Sequence, residues 1–233
     1  MTERMQKDKK IASKFQRKFH WVLFDLDGTL ANSLDVMVKV YKSFLGGFGF
    51  KGSKSEFEEL NGPSLEEIVE ILRKRYILKH KKSELLKIYK EELTRLYEQC
   101  VRPFPDASNV LGMFERMGYQ MALVTSADEE IAKTFTTKYR WERYFKHYVC
   151  GGSVKKAKPD SAIYKFALKQ IKASPDTVAV VEDSPNGVSS ANGAGLFVVG
   201  VANGRPRKEL LASGADEVVS EIKNVVSVIE ALR

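Results

Sequence analysis

A doubly wound parallel α/β sheet with an inserted helical unit is the fold class that this sequence predicts. Three observations carry it. From residue 100 onward, short apolar runs alternate with helical patterns, as in a parallel sheet covered on both faces. A further apolar run, Trp21-Val22-Leu23-Phe24, stands well upstream of them. A parallel crossover needs only a dozen or so residues, yet roughly 90 separate Phe24 from the next run at Gln120. The excess must hold a unit of its own.

The first strand is therefore placed at Trp21–Phe24. The others are expected at Gln120–Val124, Tyr148–Cys150, Val178–Val181, Leu196–Val201 and Glu217–Val219. Helical patterns cover residues 106–118, 127–139, 160–172, 186–194, 206–213 and 221–232. The inserted unit, residues 33–102, reads as helical throughout. Leu34, Met37, Val38, Tyr41, Phe44 and Leu45 follow the i, i+3, i+4, i+7 spacing of one helix face, and Gly46-Gly47 stops the run. Ser64 and Glu67 are spaced as a capping box that opens a second helix. A third runs from about Ser83 to Gln99, with Leu86, Tyr89, Leu93, Leu96 and Tyr97 on one side. The core is then residues 19–32 and 103–233, with residues 33–102 as a helical cap over one edge of the sheet.

The 233 residues suit one large domain or one domain with a smaller second unit. Residues 1–18 carry seven Lys or Arg against two acids and lack the apolar stretch of a secretory signal, so they read as a basic leader. No apolar run is long enough to span a bilayer. Cys100 and Cys150 have no metal-ligand spacing and suggest no disulfide framework; a cytoplasmic setting fits best. The net charge of +8 raises the question of nucleic acid. The densest basic cluster, Arg73-Lys74-Arg75 with Lys79 to Lys82, reads first as a solvated helix end and second as a field that attracts phosphorylated anions. Specific nucleic-acid binding is the least favoured reading.

Chemistry concentrates where the expected strands end. After Phe24 comes Asp25-Leu26-Asp27-Gly28-Thr29. Residues two apart in an extended chain share a face, so Asp25 and Asp27 emerge side by side. Gly28 permits a sharp turn at positive φ. Two carboxylates this close repel unless a cation or a shared proton compensates. Thr125-Ser126 ends the second strand, Lys158-Pro159-Asp160 precedes a helix, and Glu182-Asp183 ends another apolar strand. Each has a plain alternative: a helix cap, an exposed lysine, loop acids. Their joint placement at successive strand ends points to one site. Together they supply what phosphoryl transfer requires: a carboxylate nucleophile, a second carboxylate to move protons, ligands for a hard cation such as Mg²⁺, and a hydroxyl, amides and a lysine for phosphate oxygens.

This ordered set of residues resembles the four motifs of the haloacid dehalogenase superfamily. Asp25 to Thr29 matches the first motif, Thr125 the second, Lys158 the third and Glu182-Asp183 the fourth. The helical insert placed just after the first motif resembles the C1-capped branch, which includes phosphoglycolate phosphatases and β-phosphoglucomutases. The resemblance implies Asp25 as nucleophile and Mg²⁺ ligand, and Asp27 as general acid/base whose backbone carbonyl also meets the metal. It implies Asp183 as a metal ligand with Glu182 as its companion. Thr125, Ser126, Lys158 and Gly28 would hold phosphate, with Lys155 and Lys156 as weaker candidates beside Lys158.

Within this resemblance, Asp27 implies phosphate esters rather than carbon–halogen bonds, whose cleavage needs no protonated leaving oxygen. The expected activity is Mg²⁺-dependent hydrolysis of a small phosphorylated metabolite. A phosphomutase is the nearest rival, and a phospho-accepting signalling module a more distant one. Asn61, Gly62, Ser64 and Leu65 in the cap are the expected specificity residues. Leu65 stands where β-phosphoglucomutases carry an arginine, and Asn32 where many relatives carry an acid. The first departure counts against the phosphomutase; the second is expected to tune the hinge or site rather than remove activity.

Overall fold

A computed structural model of the chain describes residues 18–60 and 63–232. The basic leader (all but Lys18) and the cap residues Asn61 and Gly62 lie outside the described residues.

Six strands form one parallel sheet: β1 (Trp21–Phe24), β4 (Gln120–Val124), β5 (Phe145–Val149), β6 (Val178–Glu182), β7 (Phe197–Val201) and β8 (Glu217–Val219). Their order is β5-β4-β1-β6-β7-β8, so the chain winds outward from β1 first one way and then the other. Continuous burial of β1, β6 and β7 explains their unbroken apolar sequences. Two apolar clusters cover the sheet's faces, one around Val22, Phe24 and Phe114, the other around Leu23, Tyr164 and Val180.

Between β2 (Ala31–Asn32) and β3 (Arg102–Pro103), which pair antiparallel as a short ribbon, lie four helices: α1 (Leu34–Gly47), α2 (Lys54–Glu59), α3 (Leu65–Arg75) and α4 (Lys82–Cys100). The capping box at the start of α3 is formed as its spacing predicts, with Ser64 accepting from the Glu67 amide and Glu67 from the Ser64 amide. The buried stripe of α4 is Leu85, Tyr89, Leu93 and Tyr97, one residue in every four. Leu86 and Leu96, expected on that side, pack only at its margin.

The buried face of α1 is Val36, Val40, Tyr41, Phe44 and Leu45 rather than one that includes Leu34 and Met37. The phase shifts because those two are only partly buried and line a cleft. Helix α2 has too few apolar residues for a periodic signal. It is held by the Ser53 cap and by Phe57 against the Tyr41 ring at 5.7 Å.

After β3 come α5 (Ala107–Arg116), α6 (Glu129–Lys138), α7 (Ala162–Ile171), α8 (Pro185–Asn192), α9 (Arg207–Ala212) and α10 (Val225–Ala231). Strand β5 begins three residues before the expected Tyr148. Its half-exposed Lys146-His147 centre hides the edge strand from an apolar-run criterion.

Candidate active site

Register places the chemistry. Phe24 lies level with Leu123 on β4 and Val181 on β6. Asp25, Thr125 and Glu182-Asp183 therefore leave adjacent strands at one height, at the carboxyl ends beside the strand where the winding reverses. Open α/β sheets form their sites at such a point.

Asp25 is 6% exposed and Lys158 4%. Lys158 Nζ donates to Asp25 Oδ1 at 2.8 Å, to Glu182 Oε1 at 2.6 Å and to the Val124 carbonyl at 3.3 Å. Lys155 and Lys156, its rivals in sequence, are exposed. Burial favours the neutral amine, but Asp25 and Glu182 outweigh it and hold the Lys158 pKa well above its usual range. Glu182 is committed on both oxygens. Its Oε1 also accepts from the Tyr164 hydroxyl at 3.1 Å, and Oε2 accepts from the Asp183 and Ser184 amides and the Ser184 hydroxyl. A Cβ at Gly187 would fall 1.9 Å from that carboxylate, so the α8 backbone comes close only because this residue is glycine.

Asp183 Oδ1 accepts from the Thr29 hydroxyl at 2.9 Å. Gly28 turns at φ +88°, and a Cβ there would meet Asp183 Oδ2 at 2.3 Å. Carboxylate oxygens of Asp25, Glu182 and Asp183 all lie within 4.8 Å of one another. Among the described residues, Lys158 is the one cation in an ion pair with this buried trio. Burial and then repulsion from Glu182 push Asp183 up to about 7. Asp25 is raised well above the carboxylate range by burial, which Lys158 only partly offsets and Glu182 and Asp183 reinforce. An excess of negative charge on oxygen-only donors suits a hard divalent cation.

The repulsion on Asp25 comes from the β6 acids, while Asp27 is held elsewhere. Its Oδ1 accepts from the Tyr97 hydroxyl of α4 at 2.7 Å. Burial raises Asp27, and hydrogen bonds from Ser33 and Tyr97 pull it partly back. Burial and the neighbouring Asp27 charge hold the Tyr97 phenol in its protonated, donating form. Leu26 is fully buried, so Asp25 and Asp27 do face one cleft with Leu26 turned away.

Thr125 is buried, and its hydroxyl accepts from the Ala127 amide at 3.1 Å; Ser126 lines the cleft. Leu65 also lines it, whereas Ser64 is spent on capping α3. Asn32 is exposed on the β2–β3 ribbon.

The haloacid dehalogenase-like hydrolase profile matches residues 22–201. The chain belongs to that family. A phosphorylated carbohydrates phosphatase of Thermotoga maritima is 28% identical to this haloacid dehalogenase-like hydrolase over 209 residues, covering 88% of this chain and 97% of its own. A phosphoglycolate phosphatase 1 of Pseudomonas aeruginosa is 26% identical over 216 residues, covering 81% and 72%. The crystal structure of CbbY from Rhodobacter sphaeroides in complex with phosphate shares the fold at a TM-score of 0.76 and 22% identity, covering 88% and 95%. The chain is thus an HAD-like phosphatase.

Several residues that complete this HAD-like site carry no local sequence signal. Thr29 lies inside the first motif, yet its partner is 154 residues away. Asn203 donates to the Gly28 carbonyl at 2.7 Å across 175 residues and fixes the turn. Tyr97 and Tyr164 read from sequence as ordinary stripe residues of α4 and α7. Only Gly187, two residues after Ser184-Pro185, could have been found, as a glycine inside a helical pattern.

Proposed function

We propose that this hydrolase cleaves a small phosphomonoester with Mg²⁺ through an aspartyl-phosphate on Asp25. The observation that carries the reading is the Asp25 carboxylate at the base of the cleft, gripped by buried Lys158 and crowded by Glu182 and Asp183. Asp25, Asp183 and the Asp27 carbonyl would hold the cation, with Glu182 fixing Lys158 and the β6–α8 turn behind them. When bound, Mg²⁺ would neutralise carboxylate and phosphate oxygens alike.

In the first step a carboxylate oxygen of Asp25 bonds to phosphorus and the ester P–O bond breaks. Asp27 delivers its proton to the departing oxygen. Asp27 then takes a proton from water as the water oxygen attacks phosphorus, and the Asp25–phosphorus bond breaks to release phosphate. Thr125, the Ser126 amide and Lys158 would receive the non-bridging oxygens. Residues 33–102 would act as the cap, excluding water and bringing Tyr97 to Asp27. A phosphomutase would use the same core, but Leu65 gives a distal phosphate nothing to bind. The basic cluster on α3 is largely met by acids: Arg73 and Lys74 pair with Glu70, and Arg75 with Glu56 and Glu59.

Tyr97→Phe removes one hydrogen bond to a charged group and should lower kcat about tenfold. KM should move little, since the phenol is committed to Asp27 rather than to phosphate. Steady-state kinetics check this; a rise in KM at unchanged kcat would contradict it.

Magnesium should raise the melting temperature. At about 100 times its Kd a ligand stabilises by ~2.7 kcal/mol, or roughly 5–10 °C for a chain of this size. The pH dependence follows from Asp183, raised from 3.8 to about 7. Without metal, its proton contributes stability that is complete below its unfolded pKa and is lost as pH rises through 7. Metal must displace that proton. The Mg²⁺ shift should therefore be small near pH 5 and full near pH 8, and equal shifts at both would contradict the assignment.

A further inference from the structure

The two ends of the cleft differ in kind. Asp25, Asp27, Thr125 and Lys158 line it from the sheet side, whereas Met37, Phe57, Leu60, Leu65, Ile68 and Leu93 line it from the helical insert. Among the described lining residues, Lys158 is the one cation, and it is bound to Asp25 and Glu182. Lys90 reaches the rim residue Asp128 and pairs with it at 2.6 Å, so its charge is already met. Asn61 and Gly62, which follow Leu60 in the sequence, carry no charge. The space is about 140 Å³ with the end at Asp25 and Lys158 included, so the part of the substrate beyond its phosphate is small.

We infer that the substrate is a monophosphate ester of a small, largely apolar alcohol with no second phosphate or carboxylate. The inference rests on the phosphatase reading for its phosphate end and goes beyond it for the rest of the molecule. An apolar body gains from leaving water against these side chains. A second anion on the same body would find no unpaired cation among the described lining residues, and a site penalises an unpaired charge far more than a missing methylene.

The test is a matched pair of esters on the full-length protein with Mg²⁺: benzyl phosphate and 4-carboxybenzyl phosphate. They share a ring and a benzylic leaving oxygen and differ by one remote carboxylate. The expected kcat/KM ratio favours benzyl phosphate by about 10- to 100-fold. Ile68→Arg, which places a cation on the apolar wall, should shrink that ratio at least about tenfold by raising turnover of the carboxylate ester. Met37→Lys does the same from α1 should the first variant fold poorly.

A wild-type ratio at or below one would overturn the inference while leaving hydrolysis at Asp25 intact. Absence of turnover for every phosphomonoester would instead overturn the phosphatase reading, and the inference with it.

Discussion

Asp25→Asn is expected to reduce phosphate release by at least about 10³-fold on every ester, because an amide cannot form the acyl phosphate. The change is nearly isosteric, so the loss should appear with the fold intact. Removing one negative charge from a trio that repels itself should leave the protein as stable or more so in the absence of metal, by the same reasoning that raises Asp25 through burial and the β6 acids. Phosphate release measured beside a melting curve checks both statements. Residual activity above one part in about 10² would remove Asp25 from the attacking role.

Asp27→Asn should act differently on different esters. General acid–base help is worth about 10²–10⁴-fold, and alkyl phosphates should lose that much, because their leaving oxygen needs a proton. p-Nitrophenyl phosphate needs none, so its first step should remain fast while attack by water is slow. The variant should then release a burst of one nitrophenol per site, followed by slow turnover. Rapid-quench kinetics distinguish this from uniform slowing. Equal losses on both esters, with no burst, would show that Asp27 does not move the proton. Tyr97 adds a second handle, since its hydroxyl is bonded to the same carboxylate at 2.7 Å.

The core was largely legible in the sequence because local patterns and sheet register carry it. Trp21–Phe24 and Val178–Val181 are unbroken apolar runs because both faces of the sheet are covered, and their parallel pairing sets Asp25 beside Glu182-Asp183. Lys158 could be preferred over Lys155 and Lys156 from the Pro159-Asp160 that follows it. Of the three, Lys158 alone is buried.

What escaped has a common physical origin. Tyr97 to Asp27 and Thr29 to Asp183 are contacts across 70 and 154 residues, and no local period encodes them. Leu34 and Met37 fit an amphipathic helix, so their place in the cleft lining could not be told from burial in a helical core. That ambiguity hid the apolar lining of the cleft. Helix α2 shows the same limit at smaller scale, since one apolar residue, Phe57, in six gives no period to read.

The central claim is that phosphorus passes through the Asp25 carboxylate. It is tested most directly by mixing Asp27→Asn with p-nitrophenyl phosphate and Mg²⁺, quenching in acid during the burst, and mapping the peptides by mass spectrometry. The account predicts one phosphoryl group per chain on the peptide that contains Asp25, and none when Asp25→Asn is added. A phosphoryl group on another residue, or a burst with no protein-bound phosphate, would contradict it.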